Sequence, residues 1–121
     1  MGSLAILVSS RMWKRRSEMA TYTATEERTR KVHVRNSRSH VYTHAVVCTL
    51  VSAAGDTSSE VSWAGSAVLA EKRHQQMFQT AKREVVTSRE RHERSTEAQL
   101  NYFGRDYWVG FEVQIADAVR T

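Results

Sequence analysis

The chain has 121 residues, with 18 Lys and Arg against 13 Asp and Glu, giving a net charge of +5 at neutral pH. That length implies one domain with a modest core. A single cysteine, Cys48, excludes an internal disulfide framework and any multi-cysteine zinc site. The charge balance favours polyanionic partners. Fourteen of the 18 cations are arginines, whose guanidinium suits bidentate phosphate contact, although a bias toward arginine codons gives the same count.

Residues 1–18 differ from the rest. The apolar run Leu4-Ala5-Ile6-Leu7-Val8 is followed by Arg11, Lys14, Arg15 and Arg16. A signal peptide places its charges first and needs a longer apolar region. A membrane span needs about 20 apolar residues. The segment reads as a flexible basic N-terminal extension, able to act as an electrostatic arm for nucleic acid or anionic lipid. Met19 is an alternative natural start, since regular alternation begins just after it. Residues 19–121 then form a single α+β domain.

The alternation predicts a first strand over 20–35. Thr21, Thr23, Thr25 and Thr29 fall on one face, and Tyr22, Ala24, Val32 and Val34 on the other. The charges of Glu26, Glu27, Arg28 and Arg30 suit an edge strand.

The most specific pattern is Lys31 to Val51, which reads as a hairpin around Asn36-Ser37-Arg38-Ser39. A turn centred there sets Arg35 opposite His40 and His33 opposite Tyr42. The valines then face the core. Lys31, His33, Arg35, His40, Tyr42 and His44 share the solvent face. The second strand becomes apolar on both faces from Val46 to Val51, which implies a central strand covered on both sides. Cys48 lies in that strand and reads as a small buried hydrophobe.

Ala54-Gly55-Asp56-Thr57 is a turn, and Ser58–Trp63 a third strand. Ser66 is a candidate N-cap. Val68 or Leu69, Met77, Phe78, Ala81 and Val85 recur at helical spacing. Beyond Ser88 the pattern is polar all round. A helix from 64 to 97 would run about 50 Å, against a radius of gyration near 13 Å for such a domain. The expectation is a break near Val85–Ser88, or a projecting end that joins a homodimer. Asn101–Asp106 reads as a connection turning at Gly104. Tyr107–Ala116 alternates as a last strand in the same sheet. The expected fold is therefore α+β: an antiparallel β-meander (β-β-β-α-β) with one long helix packed on the sheet.

Function is read from the polar hairpin face. Lys31, Arg35 and Arg38 suit phosphate contact, while His33, His40, Tyr42 and His44 supply rings for base stacking or hydrogen bonding. Together with Lys14, Arg15 and Arg16 they suggest a non-catalytic, cytoplasmic nucleic-acid-binding protein, with no cofactor and no membrane partner. An interaction or assembly accessory protein, for example of a phage or mobile element, is the alternative. A histidine metal site is disfavoured, because His40 and His44 lie about 13 Å apart along a strand. Asp106 with Glu112-Val113-Gln114 loosely resembles the acidic core of restriction-type nucleases, with glutamine replacing the usual lysine and the upstream proline absent. That resemblance implies metal-dependent phosphodiester cleavage involving Asp106, Glu112, Gln114 or Asp117. The basic segment Lys82–Arg94 carries five cations and three acids, thin for a major-groove helix.

Overall fold

The computed structural model describes residues 19–121. The expected basic extension, including Lys14, Arg15 and Arg16, lies outside the described residues. The chain runs β1 (Ala20–Thr25), β2 (Val32–Ser37), β3 (His44–Ser52), β4 (Thr57–Ala64), α1 (Ala67–Glu93), α2 (Glu97–Phe103), β5 (Trp108–Asp117) and β6 (Val119–Arg120). The class is α+β, with every strand pair antiparallel and a long helix packed on a sheet.

The strands form two three-stranded sheets, β2-β1-β6 and β4-β3-β5. β3 is the central strand of the second sheet, and alternation gives it two covered faces. Val46, Cys48 and Leu50 face α1, whereas Ala45, Val47 and Thr49 face the first sheet. Ala45, Val46 and Val47 are fully buried. The order of layers is therefore helix, sheet, sheet. Val46, Ala64 and Ala70 form the centre of the helix-side core, with Leu69, Met77 and Val113 against them.

Two expectations about the strands need correction. The single strand over 20–35 is a hairpin, β1 to β2, turned by residues 26–31. Glu26 N–H donates to the Lys31 carbonyl at 2.9 Å, and Arg30 sits at φ 62°. The predicted hairpin over Lys31–Val51 does not form, because β2 pairs with β1 and β3 pairs with β4 and β5. The chain does bend at Arg38-Ser39, where Ser37 Oγ accepts from His40 N–H at 2.9 Å. It then crosses from one sheet to the other. The return crossing is at Ala118, whose N–H donates to the Thr43 carbonyl at 3.0 Å.

Helix α1 starts at the expected cap: Ser66 Oγ accepts from Leu69 N–H at 3.1 Å. It does not break at Val85–Ser88. Its 27 residues span about 40 Å, and the polar end is held down rather than projecting. Ser88 Oγ accepts from Trp108 N–H at 2.8 Å, and the His92 ring stacks on Tyr107 with centroids 3.8 Å apart. The buried stripe Ala70, Ala81 and Val85 presents small side chains, which bring the helix close to β3 and β5. A second helix, α2, occupies part of the stretch read as a connection. Its N-terminus is closed by a capping box between Thr96 and Gln99.

Ala70 is fully buried beneath the helix, against Val46 and Ala64. Ala70→Leu should therefore overpack that contact and cost about 1–3 kcal/mol, read as a lower urea midpoint with an unchanged m-value.

Candidate functional site

The chemistry of the first sheet's inner face begins at Glu26, just past the end of β1. Its carboxylate is 3% exposed and lies between the two sheets. Thr29 Oγ1 donates to Oε2 at 2.6 Å. Thr49 Oγ1 of β3 and Ser59 Oγ of β4 donate to Oε1 at 2.6 and 2.8 Å. His33 Nε2 sits 3.4 Å from Oε2, within ion-pairing reach but without the alignment of a hydrogen bond. Burial pushes the carboxyl upward. The three hydroxyl donors and the imidazole outweigh it and hold the pKa at about 2. A cavity of about 230 Å³ adjoins the carboxylate, lined also by Arg28, Glu112 and Gln114.

This arrangement reverses the expected faces of β2. Tyr22 pairs with Arg35 and Ala24 with His33, so His33 and Arg35 share the inner face with the buried Tyr22 and Ala24. Val32 and Val34 point to water, 54% and 60% exposed. The reading of Lys31, His33, Arg35, His40, Tyr42 and His44 as one solvent face, with the valines inside, is thus overturned. The physical reason is the partner strand: β2 is set in register by β1 and Glu26, not by β3.

The seven hairpin residues separate accordingly. Lys31 and Arg38 are exposed. His33 is drawn in to Glu26. His44 is half-buried, and its Nδ1 lies 2.7 Å from Thr43 Oγ1. Arg35, His40 and Tyr42 do come together. They line a groove of about 530 Å³ whose other wall includes Trp63 and Arg73. Tyr42 is the hub of that groove. Its ring lies parallel to His40 at 6.0 Å, edge-on to Tyr22 at 5.2 Å and tilted to Trp63 at 5.9 Å. Tyr22 O–H donates to the His40 carbonyl at 3.3 Å, which fixes the crossing segment. Arg73 Nη1 donates to Ser62 Oγ at 3.1 Å and to the Trp63 carbonyl, which holds its guanidinium over the end of β4.

Sequence reasoning did not select Trp63 or Arg73 for this site. Trp63 alternates as a core residue, and Arg73 is one cation among several on α1. Only the crossing of residues 38–43 brings β2, β4 and α1 to one end of the molecule.

The other candidate chemistries also separate. His33, His40 and His44 engage three different neighbours, and no cluster of three metal-ligating side chains occurs among the described residues. Asp106 lines a hollow beside α1 with Arg83 and Arg91. Glu112 and Gln114 line the Glu26 cavity on the opposite side of the sheet, and Glu112 pairs with Arg28 at 3.6 Å. Asp106 and Glu112 therefore do not share a site. Cys48 is buried, as expected. No helix among the described residues is long and apolar enough to cross a membrane.

The chain matches no protein-family model, and comparisons with curated proteins and with solved structures give no significant match.

The sign of the Glu26 shift sets a pH dependence. A folded-state pKa below the ordinary value of 4.5 means the unfolded chain binds the proton more readily. The stabilisation is complete above pH 4.5 and is lost as pH falls toward about 2. Glu26→Gln should lower stability at pH 7 by about 1–3 kcal/mol. It should also flatten the fall in Tm across that acid range, measured by thermal melts at a series of pH values.

Proposed function

We propose that the protein binds single-stranded nucleic acid in the groove formed by Arg35, His40, Tyr42, Trp63 and Arg73. The observation that carries this reading is the convergence of two guanidiniums and three ring systems on one groove. Single-strand binding needs cations that follow the phosphates and flat rings that accept a base face. The exposed Arg35 and Arg38 supply the first requirement. His40, exposed and parallel to Tyr42, supplies the second. The overall charge of +5 adds long-range attraction. Of the residues first selected, Lys31 serves at most as a peripheral phosphate contact, and His33 and His44 drop out. The reaction implied is binding without bond cleavage.

An interaction or assembly role is the second reading, favoured by the outer face of the first sheet. Val32, Val34 and Val119 are exposed there, and by alternation they share that face with Thr21 and Thr23. Among the described residues no charge interrupts them. Self-association would use this face in preference to α1, whose exposed Val68, Phe78 and Val86 are spread over about 27 Å along the helix.

Fluorescence anisotropy with a labelled ten-nucleotide oligothymidylate separates the two. Binding by the wild type should weaken steeply with salt, by about 0.7 in log–log slope per phosphate contact. Arg35→Ala with Arg38→Ala should reduce that slope by roughly 1.4. His40→Ala should weaken affinity by about tenfold, in keeping with stacking of roughly 1–3 kcal/mol per base. All three positions are exposed, so the fold survives the changes. Affinity unchanged in these variants, or insensitive to salt, overturns the reading.

A further inference from the structure

Along α1 and β4 the groove changes character. Past Ser62 and Arg73 it opens into a cavity of about 450 Å³ floored by Leu50, Met77 and Trp108, with Glu60 of β4 and Glu84 of α1 on its walls. That volume is in the range of specific binding pockets. Among the described residues no cation lines it, although the chain as a whole is basic. The thiol of Cys48 in its floor is pushed up, first by burial and then by the charges of Glu60 and Glu84. Both carboxylates therefore act on the interior of the cavity.

The strand beside it is an edge. Among the described residues β4 pairs with β3 alone, so its far side presents backbone donors and acceptors without a strand partner. Natural edges are usually blunted by lysine, proline or a bulge. Thr57-Ser58-Ser59-Glu60-Val61-Ser62 contains no lysine or proline and a single charge, Glu60, and its pairing to β3 runs without a register shift. Such an edge with a helix alongside can accept an extended chain as an added strand. The backbone then supplies affinity, and the alternate side chains that enter the groove supply specificity.

We propose that the β4 edge and the cavity between β4 and α1 form a docking site for an extended polypeptide with an apolar side chain and a Lys or Arg at alternate, groove-facing positions. The apolar side chain enters over Leu50, Met77 and Trp108. The cation lies between Glu60 and Glu84. This site is distinct from the nucleic-acid groove, whose cations lie at the other end of β4 and repel such a side chain.

The test uses the full chain and three synthetic nonapeptides. One alternates threonine with a leucine and an arginine at neighbouring groove-facing positions. The second replaces that arginine with glutamate. The third has two prolines that prevent strand pairing. Titration is followed by amide shifts across Thr57–Ser62 and by tryptophan fluorescence. The arginine peptide should bind at least tenfold tighter than the other two and shift those amides. Glu60→Lys with Glu84→Lys should invert the preference between arginine and glutamate peptides. If the double variant fails to fold, Glu60→Gln alone should weaken the arginine peptide and leave oligothymidylate binding unchanged. Equal affinity for the three peptides overturns the proposal, as do shifts confined to residues 35–42. Shifts at β4 that follow protein concentration and ignore peptide also overturn it, and assign the edge to a second copy.

Discussion

The carboxylate of Glu26 ties the two sheets together. An ionised group taken out of water is tolerable only when its lone pairs are filled. Here the donors come from three places in the chain: Thr29 in its own turn, Thr49 in β3 and Ser59 in β4. The first sheet cannot slide over the second without stripping hydrogen bonds from a buried charge. Tyr22 and Ala24, four and two residues earlier, are carried onto the same inner face. The hydrophobic contact between the sheets and the polar anchor therefore enforce one register.

That register decides what becomes of the basic residues. With β1 as its partner, β2 turns His33 toward Glu26 and Arg35 toward the rim, and sends Val32 and Val34 outward. A side-chain period of two makes the outcome all-or-none. Had β2 paired with β3 instead, the same six residues would expose a histidine and arginine ribbon and bury the valines. The cationic surface that results is smaller but better organised, because Tyr42 and Trp63 stand beside Arg35 and His40.

The β4–α1 side of the molecule has electrical polarity. Arg73, clasped to the end of β4, marks a boundary between a cationic, aromatic groove and an acidic, apolar one. On the readings proposed above, ligands of opposite charge would occupy its two ends, and a single ligand spanning both would need to be basic at one end and acidic at the other. The outer Thr and Val face of the first sheet is a third surface, with neither charge.

Local signals sufficed for several elements. The central position of β3 was legible because Val46–Val51 is apolar on both faces. The turn at Gly55, with φ 91°, and the Ser66 cap were legible because each depends on the chemistry of a few adjacent residues. The turn at 26–31 was not, since it carries no glycine, proline or asparagine and relies on Arg30 in a left-handed conformation and on hydrogen bonds from Thr29. The polar end of α1 suggested a break or a projecting end because the residues that hold it, Tyr107 and Trp108, are remote in sequence. By itself the sequence determined the class, the helix, the central strand and the supply of arginines and rings, all of which follow from periodicity and composition. Which strand pairs with which, and hence which face of β2 meets water, was decided only in three dimensions. Those choices depend on contacts between distant residues competing for the same buried space, and no local pattern encodes the winner.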